Sequence, residues 1–489
     1  MNCNNKPGSS LFLLLVLGMI TACKPTVDPA AKPNILFILA DDWSYPFASV
    51  YEDSPIHTPN LERLATMGMV FTHAFCSTPS CTPSRSAILT GKYPHKLGEG
   101  VNLVGKMDTA ETTYVKLLRQ HGYAVAFERK GWAPGKFEKM GYKENPAGHR
   151  QEFGAFLDSL DNKKPFCFWW GTNDPHRPYT RGHGRKVGID STKLSVPKFL
   201  PDLPDVRGDL ADYYAEIKRV DREIGALLKK LEDKGLLENT MIVVTGDNGM
   251  PFPRAKANLY DYGTRVPLVI SFPKKFKRNR RSETFVNLID LMPTFLEVAG
   301  VPLPKDLDGI SLVPVLKGKN KAHREEVFLE RERHCMCRKN ELGFPGYPMR
   351  AIRTKEYLYI LNLRPQRMPA GDPTIPGTPS EYGDVDGGPT KAYMMDHAME
   401  DNVRTFFQIG FDKRPREELY DVRADPFNVN NLAQYPKYER LKKNLQLKLD
   451  IWMSQNEDPR WHGGGDEIDR YPTYDKAWIT KWDIVFFDE

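Results

Sequence analysis

Residues 80–92 read Ser-Cys-Thr-Pro-Ser-Arg-Ser-Ala-Ile-Leu-Thr-Gly-Lys. A Cys followed by Pro, Ser and Arg within four residues, then an apolar turn, admits two readings. One is a buried structural Cys before a Pro-started helix. The other is a reactive position whose helix, over Ser84–Leu89, turns backbone N–H groups toward an anion bound at residue 81. Other chemistry-bearing residues stand just after apolar runs. Asp41-Asp42 follows Asn34–Ala40, and Gly246-Asp247-Asn248-Gly249 follows Thr240–Thr245. Adjacent carboxylates repel, so a cation or hydrogen-bond donors must compensate them; a helix N-cap pair is the bland alternative. Lys130 follows a run ending at Phe127, His176 lies in Gly171–Pro178 after Pro165–Trp170, and Lys256 precedes Val266–Ile270.

These residues need elements to hold them. Asn34–Ala40, Tyr123–Phe127, Pro165–Trp170, Thr240–Thr245 and Val266–Ile270 are apolar without alternation, as strands buried on both faces are. Helical patterns over Pro59–Met67, Thr112–His121, Asp209–Asp233 and Thr284–Ala299 alternate with them, and Pro293 inside the last implies either a kink or a helix start at Leu291. The fold class is therefore α/β, a large mainly parallel sheet between helices. Acids at the carboxyl ends of such strands sit where open sheets bind ligands. After about Ile310 the texture changes. Arg350–Leu361 and Glu417–Asp421 read as antiparallel strands, Tyr438–Gln455 as an amphipathic helix, and residues 365–390 as a long Pro-, Gly- and Asp-rich loop open to substrate. This predicts a smaller C-terminal α+β domain.

At 489 residues the chain accommodates two or three domains. A net charge of +6 is only mildly basic, and no nucleic-acid motif accompanies the basic run Lys274–Arg281, which reads as a solvated loop or a polyanion-attracting rim. Lys6 and the apolar run Leu11–Ile20 form a targeting segment too short to span a bilayer. The run ends Thr21-Ala22-Cys23, which resembles a bacterial lipobox. That resemblance implies cleavage before Cys23, acylation of its thiol, and a location in the bacterial cell envelope; an ordinary secretory signal with an incidental Cys is the alternative. The expected organisation is residues 1–22 as lipoprotein signal peptide, 23–33 as tether, 34–345 as catalytic domain and 346–489 as the smaller domain. Of the seven cysteines, Cys76, Cys167, Cys335 and Cys337 are left for an undetermined disulfide pattern. Cys335-Met336-Cys337 lacks a second pair at zinc-like spacing.

Four blocks in order, Leu39–Asp42, Cys81–Lys92, Thr245–Gly249 and Lys256 through Arg265-Val266-Pro267, together with Leu419-Tyr420-Asp421 and Asn431-Leu432, resemble the type I sulfatases of the alkaline phosphatase superfamily. Asp247–Pro253 and Gly346–Arg350 look most like the heparan N-sulfatase (sulfamidase) branch and its bacterial relatives. The resemblance implies that Cys81 is oxidised to formylglycine, that its hydrate is the nucleophile, and that a formylglycine-generating or anaerobic sulfatase-maturing enzyme is a partner. It implies Ca²⁺ held by Asp41, Asp42, Asp247, Asn248 and position 81; these hard oxygen donors suit that ion. Arg85 would hold the hydrate, Lys130 and Lys256 the sulfate oxygens, and His176 the leaving atom.

The implied activity is hydrolysis of sulfate from sulfated polysaccharides or oligosaccharides, of algal cell walls such as ulvan or of glycosaminoglycans. N-sulfoglucosamine sulfohydrolysis is the alternative within the family. A phosphatase or phosphodiesterase of the superfamily, and an inactive lipid-anchored glycan-binding protein, are the alternatives outside it. One position departs from the pattern. Many relatives carry a histidine two residues after the lysine at 130, and here Trp132 stands in that place. His95, His121 and His149 are near in sequence without an assigned place. Tyr347, Arg350, Arg353, Arg364, Arg367, Tyr382, Tyr393 and His397 are candidates to bind acidic sugars or ordinary surface residues.

Overall fold

Twelve strands among the described residues build two sheets. In chain order they are β1 (Asn34–Ala40), β2 (Gly68–Phe75), β3 (Ala124–Arg129), β4 (His149–Arg150), β5 (Phe166–Gly171), β6 (Thr240–Gly246), β7 (Arg265–Ser271), β8 (Arg280–Asn287), β9 (Glu326–Arg331), β10 (Met349–Thr354), β11 (Tyr357–Asn362) and β12 (Glu417–Asp421). The computed structural model describes residues 1–2, 32–51, 54–161, 164–319, 323–341, 343–374 and 381–474. The expected signal peptide, Cys23 and almost all of the tether lie outside these residues.

The large sheet runs β4-β3-β5-β1-β6-β7-β2-β8. β1 is central and pairs in parallel with β5 and β6. The pairing of β7 with β6 and β2 is antiparallel, so the sheet is mixed and mostly parallel. Every residue of β1, β5 and β6 is buried, because helices cover both faces. Leu36 and Ile38 pack toward the 30-residue helix Pro204–Asp233, while Phe37 and Leu39 face the opposite core with Phe295 and Leu296. The long helix starts at Pro204, five residues before the apolar stripe predicts, because Pro fits the first helical turn. The second sheet, β12-β11-β10-β9, is fully antiparallel. β9 belongs to it although it precedes residue 346.

Of the two readings of Thr284–Ala299, the helix start at Leu291 is the one observed. Thr284–Asn287 is the end of β8, paired in parallel with β2, and the helix begins only at Leu291. The stretch Arg280–Asn287 alternates in burial. The side-chain period is two there, and Asn287 then caps the next turn by accepting from the Ile289 amide.

Candidate active site

The strand order sets the site. β5, β1 and β6 are adjacent and parallel, so their carboxyl ends deliver Asp41-Asp42, the loop carrying His176, and Asp247-Asn248 to one edge. Close backbone contacts hold these ends in place. A Cβ on Gly171 would lie 1.8 Å from the Lys130 carbonyl oxygen, so the last residue of β5 must be glycine for Lys130 to approach. Asp42 has φ of 68°, a left-handed conformation uncommon outside glycine. Its amide donates to Asp247 Oδ1 at 3.1 Å, and that bond links the two acid-bearing loops.

Cys81 is the first residue of the helix Cys81–Thr90, and Ser80 precedes it in extended backbone. Gly91, at φ 65°, ends the helix in the left-handed conformation. The whole helix is buried. Cys81 Sγ lies 3.5 Å from Asp41 Oδ1. Burial pushes the thiol well above its ordinary range, so the unmodified residue is a neutral thiol and a poor nucleophile.

Arg85 is the hub. Its Nε donates to Asp247 Oδ2 at 2.8 Å, Nη1 to the carbonyls of Lys130 and Gly131 at 3.1 and 2.8 Å, and Nη2 to Asp41 Oδ1 at 3.4 Å. One buried guanidinium thus ties the helix to both acid loops and to the lysine loop. Lys130 Nζ donates to Asp41 Oδ2. Lys256 Nζ donates to Asp42 Oδ2 at 2.8 Å and lies 3.1 Å from Asp386 Oδ2. Burial alone would raise the Asp41 carboxyl, yet Lys130, His176, Arg85 and Lys256 together hold it below the usual range. Burial pushes Asp42 well above that range despite Lys256, with the charges of Asp41, Asp386 and Asp247 adding to the rise. His176 Nδ1 donates to the Arg177 carbonyl at 2.5 Å, which leaves Nε2 facing Asp42 Oδ2 at 3.7 Å. Burial and then Lys256 lower the ring to about 3, so it is neutral near pH 7.

The residues fit a hard cation. Asp41, Asp42 and Asp247 present oxygens within 4.8 Å of one another, all buried. The Asn248 amide donates to Asp42 Oδ1 at 2.7 Å and Asp247 Oδ1 at 2.8 Å, while Asn248 Oδ1 is buried without a hydrogen-bond partner. A half-turn of that amide would present a fourth oxygen to the same point. Three carboxylates and an amide oxygen are the donor chemistry of Ca²⁺.

The structure thus brings Asp41, Asp42, Cys81, Arg85, Lys130, His176, Asp247, Asn248 and Lys256 together. It also places Trp132. The indole is fully buried, donates from Nε1 to Ser86 Oγ at 2.8 Å, and lies edge-on to Tyr142. It packs behind the helix Cys81–Thr90 as a core residue. His95 is engaged by Glu330 at 2.6 Å, His121 by the Leu117 carbonyl, and His149 lies exposed on β4.

Two residues in this neighbourhood escaped the sequence reading. Asp386 groups with Asp42 and His176. His334 Nδ1 lies 2.8 Å from Ser80 Oγ, and burial lowers its ring to about 4. Both come from segments without periodicity, and Asp386 lies in the loop read as open to substrate. Several candidates for acidic sugars are spent elsewhere. Arg350 and Arg353 are buried, paired with Asp458 and Asp261, and Tyr347 is buried. Arg364 and Arg367 pair with Asp466 and Asp469. In the basic run, Arg278 pairs with Glu238 and Arg281 donates to the Val50 carbonyl. Cys76, Cys81, Cys167, Cys335 and Cys337 are all free thiols.

Comparison with known proteins agrees with this geometry. The sulfatase family profile matches residues 33–301, and the profile of the N-sulphoglucosamine sulphohydrolase C-terminal region matches 254–362. An ulvan-active sulfatase of Formosa agariphila is 31% identical over 451 residues, covering 87% of this chain and 81% of the relative. Human N-sulphoglucosamine sulphohydrolase is 30% identical over 503 residues, covering 91% and 93%. The solved structure of BT4656 with its substrate D-glucosamine-2-N,6-O-disulfate has a TM-score of 0.64 at 21% identity, covering 88% of this chain and 99% of that one. A phosphonate monoester hydrolase of Agrobacterium radiobacter shares the fold at a TM-score of 0.60 and 17% identity, so fold alone does not choose the reaction. The length and identity of the sequence matches do: the chain belongs to the sulfatase family and is a sulfuric ester hydrolase.

Proposed function

We propose that this sulfatase removes sulfate from saccharides derived from sulfated polysaccharides, with residue 81 working as formylglycine. The observation that carries the reading is the buried convergence of Asp41, Asp42 and Asp247, with Cys81 against Asp41 and Arg85, Lys130 and Lys256 around them. Asp41, Asp42, Asp247 and Asn248 would hold Ca²⁺, which when bound supplies positive charge beside the sulfuryl oxygens. Formylglycine, once hydrated by one water, would supply two geminal hydroxyls, one to displace the sugar from sulfur and one whose deprotonation would expel sulfate and restore the aldehyde. Arg85 fixes the helix that carries them. Lys130 and Lys256 offer charge to the transferring oxygens. Lys256, an ammonium held on Asp42 Oδ2, would protonate the leaving oxygen or nitrogen, while neutral His176, with Nδ1–H fixed on the Arg177 carbonyl, would present Nε2 beside it as an acceptor.

Two substrate classes have specific support. The relative named ulvan-active sulfatase favours an algal polysaccharide. The C-terminal profile over 254–362 and the human relative favour an N-sulfated glucosamine. Sulfate release from a panel of ulvan oligosaccharides, O-sulfated glucosamines and N-sulfoglucosamine separates them. No release from any member, with residue 81 shown to be modified, would defeat the reading. The segment Leu11–Cys23 supports a lipid-anchored place in a bacterial envelope. Acyl-chain labelling of the wild type, absent from Cys23→Ala, tests that part.

A further inference from the structure

A cavity of about 630 Å³ opens onto the site. Asp41, Lys130 and His176 line its buried end, and Arg129, Arg150 and Asn173 line its outer part. Most of its charges are already matched. Lys130 is on Asp41, Arg129 donates to Glu223 at 2.6 Å and lies over the Trp170 ring, and Arg177 makes a bidentate pair with Asp209. Asp174 is paired with Arg219. Arg150 differs. It is exposed, and among the described residues no carboxylate pairs with it.

Register fixes where Arg150 stands. It is the last residue of the edge strand β4, opposite Phe127 of β3. Lys130 follows three residues beyond Phe127, so the two positions are about 10 Å apart along the strand direction. That is the span of a sugar ring and its substituents. An unmatched guanidinium whose backbone stands at this offset from Lys130, lining the same cavity, is a fork suited to a second oxyanion.

We propose that Arg150 forms a subsite for a second anionic group, a further sulfate or a carboxylate, carried by the saccharide whose sulfate is cleaved. The inference rests on the sulfatase reading and narrows its substrates to multiply charged sugars. The test uses full-length mature enzyme and three substrates that share one scissile sulfate: a sugar with no other charge, the same sugar with a second sulfate, and the same sugar joined to a uronate. Wild type is expected to prefer one of the two charged substrates, and the preferred one identifies the anion. Arg150→Ala should raise KM for that substrate tenfold or more, the size of one charge-assisted hydrogen bond, with kcat and the singly charged substrate unchanged. Arg150→Lys should recover part of the loss, and the melting temperature should not move. An equal effect on all three substrates, or no preference in wild type, overturns the subsite. A wild type that cleaves none of them instead removes the sulfatase reading, and the subsite with it.

Discussion

Two of the buried charge clusters among the described residues are built to opposite rules. The first is the acid edge of the large sheet, where Asp41, Asp42, Asp247 and Asp386 face Arg85, Lys130 and Lys256. The second joins β9 and β10 to the C-terminal segment. There Glu330, Glu332, Asp458 and Asp469 meet His95, Arg350, Arg367 and Arg460. In the second cluster acids and bases match in number, and Arg350 alone reaches three of the acids. In the first, acids outnumber lysines and arginine, one amide oxygen is left without a partner, and a cavity opens onto it. Burial and shifted titration occur in both, since Glu330 raises His95 against the effect of its burial. What distinguishes a site is uncompensated donors converging on one accessible point; balanced burial marks a joint.

The contrast is sharpest in stability. Arg350→Ala leaves three buried carboxylates short of a partner, so denaturant unfolding should show a loss of about 3–5 kcal/mol, with activity per folded molecule retained. At the acid edge a cation should do the opposite. Ca²⁺ at a hundredfold excess over its Kd should stabilise the protein by about 2.7 kcal/mol, read as a rise in melting temperature. Asp42→Asn should abolish that rise. It should not lower the calcium-free melting temperature, because it removes a charge that burial and neighbouring acids disfavour.

A pH-dependent effect separates His334 from both clusters. Its ring is held neutral to about pH 4 by burial, against 6.5 when free. Between those values the unfolded chain binds the extra proton, so stability falls as pH falls. The wild type should lose up to about 1.4 kcal/mol per pH unit more than His334→Gln over that window, measured by urea unfolding. The smallest effect is at Trp132. Trp132→Phe removes the bond to Ser86 and should cost about 1 kcal/mol while leaving kcat within a few fold. A large loss of kcat would place the indole in the chemistry instead of behind it.

Much of the first cluster was legible in the sequence, and little of the second. Asp41-Asp42 and Asp247-Asn248 end apolar runs, and a buried parallel strand points its carboxyl end at a ligand wherever it occurs. Trp132 was legible as a departure but not as a core residue, because its partner Ser86 lies on a different element. β2 and β8 were missed because Gly68 and the arginines of Arg280–Asn287 hide the strand period. Arg350 reads as a surface cation until β9 and β10 pair. No spacing brings it to Asp458 or Glu332, since only the fold does. Asp386 and His334 were invisible for the same reason. They come from irregular segments whose positions depend on the second sheet.

The central claim is that the buried thiol of Cys81 is a precursor. The measurement that tests it most directly is mass spectrometry of the peptide containing residue 81, on preparations made with and without a maturing enzyme, alongside sulfate release from one saccharide. Turnover should rise in proportion to the fraction carrying the aldehyde and should vanish in Cys81→Ala. Full turnover by protein whose residue 81 is still a thiol would contradict the account.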